Sequence, residues 1–378
     1  MSRAAAARRT RALCLVFGVF FVLAALTPHK QDGLPFEVAV GLANEGHPWS
    51  DIYLSTNAPS VFDVSDAFLD RAMKIDPVFE KDMVAGFLSW PAALTVTEAF
   101  GGRFGLSLCS AVGSFFGLLV LSERMGSPKD EREELWSLWT LSMTGLLLMF
   151  GVAIGQTSPL LLLAVLAPRG PLAFAAGISI GVLAATKTWP ILLVLSLRKE
   201  NPRAAFTGLL FFVLASLAAW VRWGVGPFEV ALELQQSLSN KVTTDLATLS
   251  IEALLLRDGS GSKLFTEVNP LLSSLVHLSG LGFLALFADS PEKRSGAVMI
   301  GAPLAWYHYF SVVPLGLLSA PRWVAAAATS IVLLNALWPT AAGTALATLS
   351  WLFSASIVVG RVDNDTQCDR VSASSVCD

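Results

Sequence analysis

The sequence has little charge. Only 15% of its 378 residues are Asp, Glu, Lys or Arg, against about 25% in an ordinary soluble domain, and a net charge of -3 offers no basic surface for nucleic acid. Histidine and cysteine are scarce as well, with four of each. Cys14 and Cys109 lie in apolar runs and Cys368 and Cys377 in a polar tail, so all four read as free thiols unless that tail faces an oxidising compartment. The chain has no G-x-x-x-x-G-K-[ST], H-E-x-x-H or C-x-x-C, and nucleotide-loop, zinc-protease and thiol-redox readings lose their anchors. No cofactor or metal is called for. Asp63-Val64-Ser65-Asp66 could hold a divalent cation, but carboxylates at a helix start more often cap and solvate it.

Apolar length is what the sequence has instead. Hydrophobic residues make up 54% of the chain, above the roughly 45–50% of soluble domains. Apolar runs recur at 12–27, 83–99, 104–121, 135–154, 158–167, 171–197, 204–221, 270–288, 296–320, 323–338 and 343–360. The fold class expected is all-α, a polytopic transmembrane protein of about twelve crossings of roughly 20 residues each. Residues 1–360 read as a single transmembrane domain and 361–378 as a polar tail. Arg3, Arg8, Arg9 and Arg11 precede the first run; because many apolar runs follow and Ala24-Ala25-Leu26 is a weak cleavage site, that run reads as a retained anchor with a cytoplasmic N-terminus rather than a cleaved signal peptide. The loop at 28–82 then faces outward, as does 223–269 in the hairpin threading given below, each long enough to be functional and to carry short helices. In the first, Leu34, Val38 and Leu42 share one helical face, Pro35 is tolerable in a first turn, and the helix would lie along the membrane surface and end near Gly46.

Basic residues constrain the threading. Arg124, Lys129, Arg132, Arg169, Arg198, Lys199, Arg203, Lys293, Arg294 and Arg322 all become cytoplasmic if 83–99 enters without crossing and if 171–197 and 296–320 are hairpins. Each of those two runs has a polar break, Lys187-Thr188-Trp189-Pro190 in one and Trp306-Tyr307-His308-Tyr309 in the other. About eleven continuous helices are the simpler alternative, but they put five of these cations outside.

Candidate site residues come from the same breaks. Asp32 is the first carboxylate after the first crossing and the candidate to do chemistry. Lys187 sits in a run apolar enough that an ammonium costs about 2.5–3.5 kcal/mol to insert, and it suits a lipid phosphate; a snorkelling lysine is the plainer reading. His308 could donate to a phosphate oxygen, while Tyr307 and its aromatic neighbours also fit an interfacial belt. Gly155-Gln156-Thr157-Ser158 offers amide and hydroxyl groups at a turn, or an ordinary helix start. Arg222, at a helix end on the proposed outer side, reads as a partner for an anion or as another snorkelling side chain. Mid-run His277 reads as a packing residue.

At these residues the chain resembles the polyprenol-phosphate-mannose-dependent mannosyltransferases of glycosyltransferase family 87, in the multi-spanning GT-C class. Asp32 followed by a surface helix and Gly46-His47-Pro48-Trp49 is similar to the family's Asp, helix and G-x-P-aromatic ending. Gly155-Gln156-Thr157-Ser158 resembles its G-Q-x-[NS] turn, Ala184 to Pro190 its A-x-x-K-x-x-P segment, and Ala302-Pro303-Leu304-Ala305-Trp306-Tyr307-His308 its S-P-x-x-W-x-H motif. The chain departs where the family has Y-P-P, with Phe87-Leu88-Ser89-Trp90-Pro91, and in Ala302 for serine. The resemblance implies a plasma-membrane enzyme that moves a hexose, mannose in the family, from a polyprenol-phosphate sugar donor to a lipid or glycan acceptor on the extracytoplasmic face, with inversion. Asp32 would be the general base; Lys187 and His308, with Arg222, would stabilise the leaving phosphate, and Gln156, Trp189 and Tyr307 would complete the substrate site. The competing readings are a lipid-linked-sugar flippase or other transporter, which also uses broken helices and buried charge, and a membrane scaffold docking through its acidic loop.

Overall fold

The computed structural model describes residues 3–53, 63–79, 84–87, 89–224, 270–301, 307–318 and 320–337, with 3–4, 270–277, 307–308, 310 and 335–336 described by backbone alone. Every described regular element is a helix, with one isolated parallel bridge between Tyr53 and Phe87. In chain order these are α1 (Arg3–Ala25), α2 (Leu34–Asn44), α3 (Trp49–Ile52), α4 (Asp66–Ile75), α5 (Ala92–Ala99), α6 (Arg103–Arg124), α7 (Glu131–Ala153), α8 (Leu160–Leu166), α9 (Leu172–Lys187) and α10 (Leu192–Leu197). They continue with α11 (Pro202–Trp223), α12 (Pro270–Leu286), α13 (Pro291–Gly301), α14 (Val313–Gly316) and α15 (Arg322–Leu337). The second proposed outer loop beyond Gly224, the run 343–360 and the tail lie outside the described residues.

Among the described helices, α6, α7 and α11 are long and apolar enough to cross a bilayer, and the chain is a membrane protein. On α1, Phe17, Phe21, Ala24 and Ala25 are buried while Leu15, Val19 and Leu23 are exposed. The buried stripe packs on α6 and α7. On α11 the exposed side chains include Phe206, Leu210, Leu214 and Val221, an apolar face suited to lipid.

Helices α9 and α11 run parallel and very close. A Cβ added at Gly177 would stand 2.5 Å from Thr207, and one at Gly181 2.7 Å from Phe211, so the absence of side chains at these two positions sets the approach. Two consecutive parallel helices require the chain to come back between them. It does so: α9 stops at Lys187, Trp189–Ile191 forms a short 3-10 turn, and Asn201 donates to the carbonyls of Ala167 (3.0 Å) and Pro168 (2.9 Å), just before the start of α9. The same level gathers other cations. Arg294 donates to Val165 O at 2.9 Å and pairs with Glu200 at 2.5 Å, Arg322 donates to Met125 O at 3.0 Å, and Arg9 pairs with Glu134 at 2.5 Å. These are residues that charge alone assigns to one side.

Residues 84–99 hold one eight-residue helix, α5, about 12 Å long at 1.5 Å per residue, well short of a bilayer core. The first loop carries short helices, α2, α3 and α4, and they pack together. Helix α2 forms with Pro35 in its first turn, and Gly46 follows it at φ +78°. Yet Leu34, Phe36, Val38, Ala39 and Leu42 are all buried, in a second core with Ile52, Phe68, Ala72, Phe87 and Leu94. Neighbours cover both faces of α2, which is why its sequence shows no clean amphipathic period. Ser65 caps α4 by accepting from Phe68 N at 3.1 Å, so the Asp63 to Asp66 stretch does the work of a helix start.

Candidate active site

The centre is a join between the end of α1 and the end of α7. Both helices stop with carbonyls unsatisfied, and a single ammonium serves them: Lys30 Nζ reaches Ala24 O at 2.5 Å, Thr27 Oγ1 at 2.9 Å, Ala153 O at 3.1 Å and Val152 O at 3.3 Å. Lys30 is fully buried, and burial, with the Arg103 charge adding to it, pushes its pKa down to about 8. Asp32 N donates to Ile154 O at 2.9 Å. Beside this bond Gly155 adopts φ +87°, and a Cβ on it would lie 3.0 Å from Gly33 N; a side chain is excluded by both the conformation and the space.

This join brings Asp32 to Gln156. Gln156 Nε2 donates to Asp32 Oδ2 at 2.5 Å, while the backbone carbonyl of Gln156 accepts from Ser110 at 2.9 Å. Asp32 is half-buried. Burial raises its pKa above the ordinary carboxylate range, opposed by the Gln156 hydrogen bond and by the charge of Lys187. The Gln156 turn is tied to the α9 break through Thr157 Oγ1 and Thr186 Oγ1 at 2.9 Å, and Ser89, just before α5, joins the same point by donating its Oγ–H to Thr186 O at 2.8 Å.

Lys187 ends α9, and the next residue, Thr188, sits at φ +62°, ψ -61°, close to a strained γ-turn conformation that is rare for a β-branched side chain. The Lys187 ammonium lies 6.0 Å from the centre of the Tyr309 ring, and Trp189 and Tyr309 have ring centroids 6.4 Å apart. The backbone of Tyr307–Val312 is a 3-10 turn. The side chains of Tyr307 and His308, and the whole of 302–306, lie outside the described residues. Tyr309, which the sequence offers only as part of an aromatic belt, is the residue of that segment seen against Lys187.

Arg222 is engaged elsewhere. It pairs with Glu98 and donates to Asn44 at 3.2 Å, tying the end of α11 to the ends of α5 and α2. Beside Gly33 lies a second charged group that sequence reading overlooks. Arg103, 5% exposed, meets Asp76 at 3.0 Å and Glu37 at 3.2 Å, and the half-exposed His29 ring lies 3.1 Å from the other Asp76 oxygen. The one available signal was that His29 and Lys30 flank Asp32 within four residues. Asp32, Gln156, Lys187, Trp189 and Tyr309 thus form one neighbourhood: a carboxylate of raised pKa, an amide that orients it, a cation and an aromatic wall.

The model of one protein family, glycosyltransferase family 87, matches residues 84–306, more than half the chain. The matched span includes Gln156, Lys187, Trp189 and Arg222 and ends short of Asp32 and His308. No curated protein and no solved structure matches the chain.

Proposed function

The chain belongs to glycosyltransferase family 87, and from that premise we propose that it transfers a hexose, mannose by the resemblance, from a polyprenol-phosphate donor to an acceptor hydroxyl at the extracytoplasmic face of the plasma membrane. The observation that carries the reading is the meeting of Asp32 with Gln156 and the Lys187 charge. Asp32 takes the proton from the acceptor hydroxyl, and a pKa raised above the ordinary carboxylate range strengthens it as a base. The freed oxygen attacks the anomeric carbon from the face opposite the phosphate. The bond from that carbon to the phosphate oxygen breaks with its electron pair passing to the phosphate, so the anomeric configuration inverts. The transition state carries oxocarbenium-like charge on the sugar.

Gln156 holds one Asp32 oxygen and so leaves the other to face the acceptor. Lys187 supplies positive charge for the leaving phosphate, with His308 as its expected companion and Trp189 and Tyr307 as aromatic contacts for the substrate. Arg222, paired with Glu98, serves the phosphate only if it exchanges that partner.

The experiment is a transfer assay on purified protein with labelled polyprenol-phosphate hexoses and candidate acceptors. Asp32→Asn should lower turnover by about 10²–10⁴-fold, the range for loss of a general base, with expression and melting temperature preserved. Undiminished turnover in that variant removes the base assignment. Movement of a lipid-linked sugar across proteoliposomes with no transfer to any acceptor would replace the enzyme with a flippase.

A further inference from the structure

At the end of the bundle away from Asp32, a cleft of about 460 Å³ opens between the end of α10 with the turn after it, on one side, and the end of α12 with the start of α13, on the other. Clefts of roughly 300–1,000 Å³ are the size that takes small ligands. Its lining divides by chemistry. Leu195, Phe283, Leu286 and Phe287 supply an apolar wall, and Arg198, Lys199, Glu200, Asp289 and Lys293 supply charge. Leu286 is 71% exposed and Phe287 62%, so neither is covered by the described chain.

The two carboxylates are already matched. Lys293 pairs with Asp289 at 3.0 Å, and Glu200 is held at 2.5 Å by the fully buried Arg294. Arg198 and Lys199 remain exposed, with no ion-pair partner among the described residues. Two unmatched cations at the rim of an uncovered apolar wall complement an amphiphile with an anionic head. A soluble phosphate ester would use the cations and leave Leu286 and Phe287 in water. A neutral lipid would cover the wall and leave the cations unmatched.

We propose that this cleft binds an anionic phospholipid, its phosphate on Arg198 and Lys199 and an acyl chain along Leu286 and Phe287. The site shares no residue with the Asp32 neighbourhood and stands independently of the transfer reaction.

Native mass spectrometry of the full-length protein in mild detergent tests it, by titration with palmitoyl-oleoyl phosphatidylglycerol, phosphatidylcholine of the same chains, and glycerol 3-phosphate. The parent protein should retain phosphatidylglycerol in preference to phosphatidylcholine, and glycerol 3-phosphate should fail to displace it. The pair Arg198→Ala and Lys199→Ala should weaken retention by about 20- to 30-fold, since each basic residue at a lipid surface contributes about fivefold. Exchanging the two, Arg198→Lys with Lys199→Arg, should keep it. If the alanine pair does not fold, Lys199→Gln alone carries the test with about a fivefold loss. Equal retention of the two lipids, undiminished phosphatidylglycerol on the alanine or glutamine variant, or ready displacement by glycerol 3-phosphate overturns the proposal.

Discussion

Opposing neighbours set the acidity of Asp32: burial raises its pKa, and the Gln156 hydrogen bond and the Lys187 charge pull it back. A base must be ionised to act, so the acidic limb of the rate profile should lie above the ordinary carboxylate range. Removing either opposing neighbour should move that limb to still higher pH. Profiles of kcat/KM against pH for Gln156→Leu and Lys187→Met check this, and an unmoved limb in both would mean that neither group acts on Asp32. Linkage gives a second readout. Folding raises this pKa, so the native state holds the proton to higher pH than the unfolded chain, and stability falls as pH rises from the ordinary carboxylate range to the raised value. Asp32→Asn escapes that fall and should melt no lower than the parent at neutral pH. Asp32, Gln156 and Lys187 were legible because each stands out locally, as a first carboxylate, a turn and a lysine in an apolar run. Lys30 was not, because its meaning lies in carbonyls up to 123 residues away, and a lysine in a polar loop carries no local sign of burial.

Two elements take their form from one residue each. Thr188 ends α9 with a positive φ, a conformation that costs a β-branched residue of order 1–3 kcal/mol. Glycine would relieve that strain and add about 0.5–1 kcal/mol of chain entropy cost. Thr188→Gly should therefore melt at or slightly above the parent temperature while transfer declines, because a looser break no longer fixes Lys187. Thermal melts and the transfer assay on the same preparation separate the two effects, and parent-level transfer would show that the break needs no stiffness. Pro190 and Lys187 made this break readable in the sequence; the unequal arms were not readable, since the return through a 3-10 turn and a six-residue helix leaves no periodic signal. Arg103 holds the start of α6 against the α2–α4 lobe through Asp76 and Glu37. Arg103→Met leaves Asp76 buried at 4% exposure without its guanidinium and should cost about 3–5 kcal/mol. Adding Asp76→Asn should recover part of that loss in the same melts. The double burial of α2 escaped sequence reading for a related reason: one covering element is a helix some thirty residues on, the other an irregular stretch near Phe87.

Across the whole molecule, charge asymmetry made the grouping of the ends legible. Arg9, Arg294 and Arg322 were assigned to one side by counting, and the structure ties them to Glu134, Glu200 and Met125 at one end, where Arg124 is also close enough to act on Arg294. The parallel pair α9 and α11 has a further consequence, for the order of biosynthesis. The sixteen residues of α9 extend about 24 Å, less than the roughly 30 Å hydrocarbon core, and its glycine-bearing face is completed only by Thr207 and Phe211. A nascent chain that ends at Leu197 has neither the span nor the partner surface to hold this hairpin. Lys187 should therefore reach its final position only after α11 has emerged from the ribosome, so the cation of the proposed site would be set in place after the carboxylate-bearing segment that it joins.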